Sequence, residues 1–197
     1  MKKRAAALVA LAALTLSTQG QGSLQYDQQS AFAPIPPSIL WTIQPNGPIG
    51  QSFIPSLTAV GFVQLELFDG HPNNGLGATL YVNLRSDSIT GPILSSSDPV
   101  FMPETPSGGG VTNFFFSGPA AVVPGTTYFF EIVVQSGDFW RVNVAGNYAS
   151  GAAYFQGSAQ PFEALWFREG VVVPEPSIAS LILLTSGALM YARRRRC

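Results

Sequence analysis

From Gln51 to about residue 170 the chain is written in short apolar segments whose period is two. Val63-Gln64-Leu65-Glu66-Leu67 alternates apolar with polar; Leu80, Val82 and Leu84 alternate with Tyr81, Asn83 and Arg85, and Val142 and Val144 with Arg141 and Asn143. In extended chain this puts every second side chain on one face, the pattern of a half-buried strand. Phe114-Phe115-Phe116 and the run from Tyr128 to Val134 are aromatic and β-branched, as in strands covered on one or both faces. Ala164 to Arg168, with Trp166 and Phe167, reads as the last strand. The separators are turn-forming: Asp69-Gly70-His71-Pro72-Asn73-Asn74-Gly75, Ser107-Gly108-Gly109-Gly110, Pro124-Gly125, Ser136-Gly137-Asp138 and Gly146-Asn147. No helical period appears in the body, nor any fixed-length repeat. The pattern predicts an all-β domain over 51–170, an antiparallel β-sandwich of jelly-roll-like kind. Residues 23–50, with five prolines and several glutamines, read as an irregular lead-in holding one short strand near Leu40–Ile43.

The two ends differ from the body. Lys2, Lys3 and Arg4 precede an apolar run from Ala5 to Leu16, and small and polar residues follow. A charged start, a short apolar core and a small-residue zone describe a secretion signal. Thr18 and Gly20 fit a small-x-small pattern, so cleavage is expected after Gly20, with Gly22 the alternative, and 1–20 is the expected signal peptide. About twelve apolar residues fall short of the roughly 20 that a membrane-spanning helix needs.

At the other end, Pro174-Glu175-Pro176 is followed by an uncharged, mostly apolar stretch from Ser177 to Ala192, then by Arg193, Arg194, Arg195 and Arg196. Proline suits the first turn of a helix but not its interior, so a helix is expected over 177–192. At 1.5 Å per residue it reaches about 24 Å. Arginines at its end and local bilayer thinning make up the remainder of a span. The positive-inside tendency puts those arginines in the cytoplasm, and the body then lies outside.

This ordered triple over 173–197 resembles the PEP-CTERM sorting signal of exopolysaccharide-producing bacteria. The resemblance implies processing by an exosortase, a membrane-embedded transpeptidase-like enzyme, with Pro174, Glu175 and Pro176 as recognition element and Arg193, Arg194, Arg195 and Arg196 as basic tail. It also implies a protein anchored in the membrane at first, then passed to the cell envelope or extracellular matrix. The strand and turn pattern of the body is similar, more loosely, to the small β-sandwich ectodomains carried ahead of this signal.

Charge and chemistry narrow the body's role. The formal net charge is -1, but the basic residues cluster at the two ends. Between them only Arg85, Arg141 and Arg168 face ten carboxylates, and no lysine is present. Such a surface has no basic stripe for phosphates, so nucleic acid is not an expected partner. The single cysteine, Cys197, rules out an intramolecular disulfide. His71, the only histidine, sits in a Gly/Asn/Pro turn without a nucleophile elbow in the chain. Glu66, Asp69, Glu131, Asp138 and Glu163 are the carboxylates a glycosidase pair would draw on, yet their spacing singles out no pair. No enzyme activity and no cofactor are expected. Asp69, Asn73 and Asn74 share one turn and offer oxygens of the kind that hold a structural Ca²⁺; they are equally ordinary turn formers. Large rings usually fill cores, but on a sheet face or loop they also stack on sugars. Trp140 and Tyr148, with Asp138 and Arg141 near the former, are therefore the expected glycan-facing residues if the domain binds exopolysaccharide.

The resulting expectation is an exported, surface-sorted, non-enzymatic envelope or matrix protein with a β-sandwich interaction domain. A carbohydrate-binding module stands as alternative, and a secreted hydrolase behind it. Replacing Arg193, Arg194, Arg195 and Arg196 with glutamate is expected to scramble membrane orientation or processing, read by protease protection on spheroplasts. Unchanged orientation would contradict the topology argument.

Overall fold

The computed structural model describes residues 22–30, 39–105 and 109–174. The domain proper is 24–171. The expected signal helix (1–20) and membrane helix (177–192) lie outside the described residues. No helix among those described is long and apolar enough to cross a membrane.

Among the described residues fourteen strands follow in order: β1 (Ser23–Gln29), β2 (Ile39–Thr42), β3 (Ile49–Phe53), β4 (Ala59–Asp69), β5 (Ala78–Ser86), β6 (Ile93–Ser96), β7 (Val100–Met102), β8 (Gly109–Ala121), β9 (Tyr128–Gly137), β10 (Trp140–Gly146), β11 (Ala153–Phe155), β12 (Ser158–Gln160), β13 (Ala164–Leu165) and β14 (Phe167–Val173). They form two antiparallel sheets. Sheet A is built on β4, which pairs with β8 along one edge and with β14 and β10 along the other; β1 then pairs with β14, and β2 and β13 with β10. Sheet B runs β12-β11-β3-β9-β5, with β6 and β7 sharing the outer edge of β5. The all-β sandwich expected from the alternation is the architecture observed.

Each sheet turns its period-two apolar set inward. Val63, Leu65 and Leu67 of β4, Val142 and Val144 of β10 and Phe114 and Phe116 of β8 meet Leu80, Val82 and Leu84 of β5 and Phe130 and Ile132 of β9 in one core. Aromatic rings cross the gap: the Phe130 and Phe167 centroids lie 5.4 Å apart, and Phe53 lies 6.2 Å from Phe130. One polar tie also crosses. Gln51, buried on β3, accepts a hydrogen bond from Leu165 N on β13 at 3.0 Å and donates to Ser52 O at 2.9 Å. A buried amide bonded at both ends avoids the penalty of an unsatisfied one and fixes how the sheets are set against each other.

The lead-in is more ordered than its composition suggested. Residues 23–50 contain β1, β2, a 3-10 turn at Gln44–Asn46 and the start of β3, so the sandwich begins before Gln51. Both β1 and β2 are sheet-edge strands, and the pairing of β1 with β14 supplies hydrogen bonds that local sequence does not show. The last strand likewise extends past Arg168 to Val173. Between β11 and β12, Gln156 (φ 51°) and Gly157 (φ 74°) both take left-handed conformations, the two-residue hairpin turn whose twist matches the strands.

Phe130 is fully buried and touches rings from both sheets. Phe130→Ala is expected to cost about 3–5 kcal/mol, and Val123→Ala, at an exposed site, less than about 0.5 kcal/mol. Urea denaturation measures both, and equal costs would contradict this account of the core.

Candidate functional site

The sequence-derived candidates separate by location. Pro174 is exposed at the end of the described chain; Glu175, Pro176, Arg193, Arg194, Arg195 and Arg196 lie outside the described residues. Trp140 does not face a glycan. It is fully buried among the core residues, because it shares parity with Val142 and Val144 on β10. Tyr148 is half-buried, its ring edge-on to Phe167 at 5.2 Å and its hydroxyl donating to Gln28 Oε1 at 2.8 Å. It serves the interior end of the sandwich instead of presenting a stacking face.

The five carboxylates are dispersed. Glu66 is on the outer face of sheet A and accepts from the Asn143 amide. Glu131 is on the outer face of sheet B, where it takes Arg85 Nη2 at 2.7 Å, Arg85 Nε at 2.9 Å and the Asn83 amide at 2.9 Å. Facing away on opposite sheets, those two cannot share a substrate. Asp69, buried at the end of β4, accepts His71 N at 2.8 Å and Thr105 N at 3.3 Å. Asp138 receives the Asn74 amide and lies 3.2 Å from His71 Nδ1. The Phe139 amide chiefly holds Asp138 below the ordinary carboxylate range, with Asn74 and His71 adding to it. Glu163 contributes its backbone carbonyl to Ala153 N.

The Asp69-Asn73-Asn74 trio is used up as turn structure. Asn74 Oδ1 accepts from Leu76 N at 2.8 Å, and Asn73 takes a left-handed φ of 71°. No group of three or more His, Cys, Asp or Glu side chains among the described residues is placed to hold a metal.

Two arrangements went unnoticed in the sequence. The first is interior. Glu169 pairs with Val63 across β14 and β4, so it points into the sandwich and is fully buried. Among the described residues neither of its carboxyl oxygens has a hydrogen-bond partner of good geometry. Burial pushes its carboxyl up to about 8, and the negative charge of Asp27 adds to the rise. Asp27 is the opposite case: although partial burial works against it, bonds from Ser56 and Leu57 hold it below the usual range. The Tyr148 hydroxyl beside them is pushed up to about 12, mainly by burial. Alternation with Phe167 was the signal that Glu169 faces inward.

The second is the outer face of sheet A. Register across β14, β4 and β8 aligns Arg168, Gln64 and Asn113 in one row. Gln64 Nε2 donates to Asn113 Oδ1 at 2.8 Å, and Arg168 Nη1 to Gln64 Oε1 at 3.4 Å. The Arg168 guanidinium lies 5.2 Å from the ring centroids of both Tyr26 and Trp166. Beside that row Tyr26, Phe62 and Phe115 make an aromatic stripe, with Phe62 buried between two rings that are 43% and 40% exposed. On the other side Glu66 meets Asn143, and further along Arg141 faces Phe68. There Leu40, Phe68, Asp69, Pro72, Thr105 and Arg141 line a half-open pocket of about 180 Å³. Arg141 Nη2 is fixed by Gly70 O at 2.8 Å and Asp69 O at 3.3 Å. Strand pairing brings these residues together from seven separate segments: β1, β2, β4 with its following turn, the segment at Thr105, β8, β10 and 166–168.

The chain matches no protein-family model and no curated protein sequence.

A carboxyl whose folded value lies above its unfolded one contributes stability below the unfolded value, and that contribution is lost as pH rises through the folded value. For Glu169 the window runs from the ordinary 4.5 to about 8; Asp27 shifts downward and acts only in acid. The melting temperature of the wild type is therefore expected to fall between pH 5 and pH 9 by about 4 °C or more relative to Glu169→Gln. Parallel melting curves across that range would contradict the buried, protonated Glu169.

Proposed function

We propose that this chain is exported and sorted to the cell surface, where its β-sandwich serves as a non-enzymatic interaction module of the envelope or extracellular matrix. The observation that carries the reading is the ordered C-terminal triple: Pro174-Glu175-Pro176, the apolar stretch 177–192, and Arg193 to Arg196. The charged-then-apolar start, Lys2 to Leu16, supports it independently. In this reading a signal peptide (1–20) directs export and a helix over 177–192 holds the protein in the membrane. An exosortase-type enzyme then processes the tail and releases the protein to the envelope or matrix.

The body supports an interaction role over a catalytic one. Asp69, Glu131 and Asp138 are engaged in loop and sheet structure, and Glu66 is bonded to Asn143. A carbohydrate-binding domain for exopolysaccharide is the second reading, favoured by the row of planar polar side chains and exposed rings on the outer face of sheet A.

Deleting 174–197 is expected to release the body into periplasm or medium, read by immunoblotting of fractions. Truncated protein that still pellets with membranes would contradict the anchor.

A further inference from the structure

Of the three cations between the charged ends, Arg85 is neutralised by Glu131 on sheet B. Arg141 and Arg168 both lie on the outer face of sheet A. Among the described residues neither forms an ion pair: Arg141 is held by backbone carbonyls, and Arg168 by Gln64 and two rings. In a domain with a large excess of carboxylates, this is the face where an anion meets positive charge. Arg141 faces Phe68 and Arg168 faces Gln64, four residues apart on β4, or about 14 Å along the strand.

The groups between and beside them suit hydroxyls. Glu66 and Asn113 are part-exposed planar side chains with donors and acceptors in fixed directions, held by the buried amides of Asn143 and Gln64. Hydrogen-bonding capacity is left over: among the described residues Asn143 Oδ1, Arg168 Nε and Thr105 Oγ1 are buried without partners, and Asn143 is 1% exposed. Such orphaned atoms are costly unless a ligand or water meets them. Tyr26 and Phe115 add apolar ring surface at one margin, and the Arg141 pocket adds a recess at the other.

Two features select among anionic polymers. Glu66 lies between the two arginine rows and repels a chain charged at every unit, while it accepts from a neutral sugar hydroxyl. The buried Asp69 carboxylate, bonded to His71 and Thr105 amides, sets the same limit at the pocket. Nucleic acid fits poorly, because two cations cannot offset phosphates at each nucleotide.

We infer that the outer face of sheet A binds an acidic heteropolysaccharide whose carboxylates are separated by neutral sugars, with Arg141 and Arg168 each taking a carboxylate and the part-exposed Glu66 and Asn113 taking hydroxyls of the neutral sugars. This rests on the carbohydrate reading above and is independent of how the chain is sorted.

The test is affinity electrophoresis of the full chain, solubilised in a polyoxyethylene detergent that presents no sugar. The probes are hyaluronate, which carries a carboxylate on every second sugar, the same polymer methyl-esterified, polygalacturonate, and neutral dextran. Hyaluronate is expected to retard the protein most, and esterification to weaken retardation about tenfold or more, the loss expected for one or two charge-assisted hydrogen bonds. Arg141→Gln and Arg168→Gln are each expected to do the same, and Tyr154→Ala, on sheet B, to change nothing. Equal retardation by dextran, indifference to esterification, or no retardation by any polymer would overturn the proposal. The esterification arm uses unaltered protein, so it decides the matter even if an arginine variant misfolds. Surface display of a protein that ignores all four polymers would leave the sorting proposal standing and remove this one.

Discussion

Phe130 of one sheet against Phe167 of the other, with Phe53 alongside, is the contact on which the sandwich depends. No cysteine lies in the body, so no covalent tie holds the sheets together. They stay face to face because each has an apolar side that water excludes, at roughly 25 cal/mol for every Å² removed from solvent. Once β4, β5, β9 and β10 commit their alternate residues inward, their other residues must face out. Everything the domain presents to its surroundings follows from that parity.

Parity also explains what could be read from the sequence. Val63-Gln64-Leu65-Glu66-Leu67, Leu80 to Arg85 and Arg141 to Val144 announced half-buried strands because each has one wet face. The same alternation, extended by one residue, places Trp140 with Val142 and Val144 in the core, and extended from Phe167 it turns Glu169 inward. β1 was hidden for another reason: Ser23–Gln29 is polar and mostly exposed, and only its partnership with β14 makes it a strand. The outer row of Arg168, Gln64 and Asn113 was beyond reach of the sequence, since it depends on which strands are neighbours and in what register.

Beside hydrogen-bonded buried polar groups such as Gln51, two departures from the rule that apolar residues go in and polar residues go out matter most. Phe62 and Trp166 are buried on the outward side of sheet A, covered by neighbours on that same surface. Glu169 is a carboxyl in the interior without a proper hydrogen-bond partner among the described residues. The first makes the outer face of sheet A a built surface, with rings wedged beside a guanidinium and a hydrogen-bonded amide row. The second costs stability whenever the carboxyl is ionised, and it joins β14 to the fate of Asp27 on β1 and of the Ser56–Leu57 loop.

The proposed role rests on two parts of the chain, the outer face of sheet A and the signals proposed at its ends. Delivery is the step on which the functional reading stands. Mass spectrometry of both termini of the protein recovered from envelope or matrix measures it directly. The account predicts a chain that begins just past Gly20 and has lost Arg193 to Cys197. A soluble cytosolic product retaining both Met1 and Cys197 would contradict it.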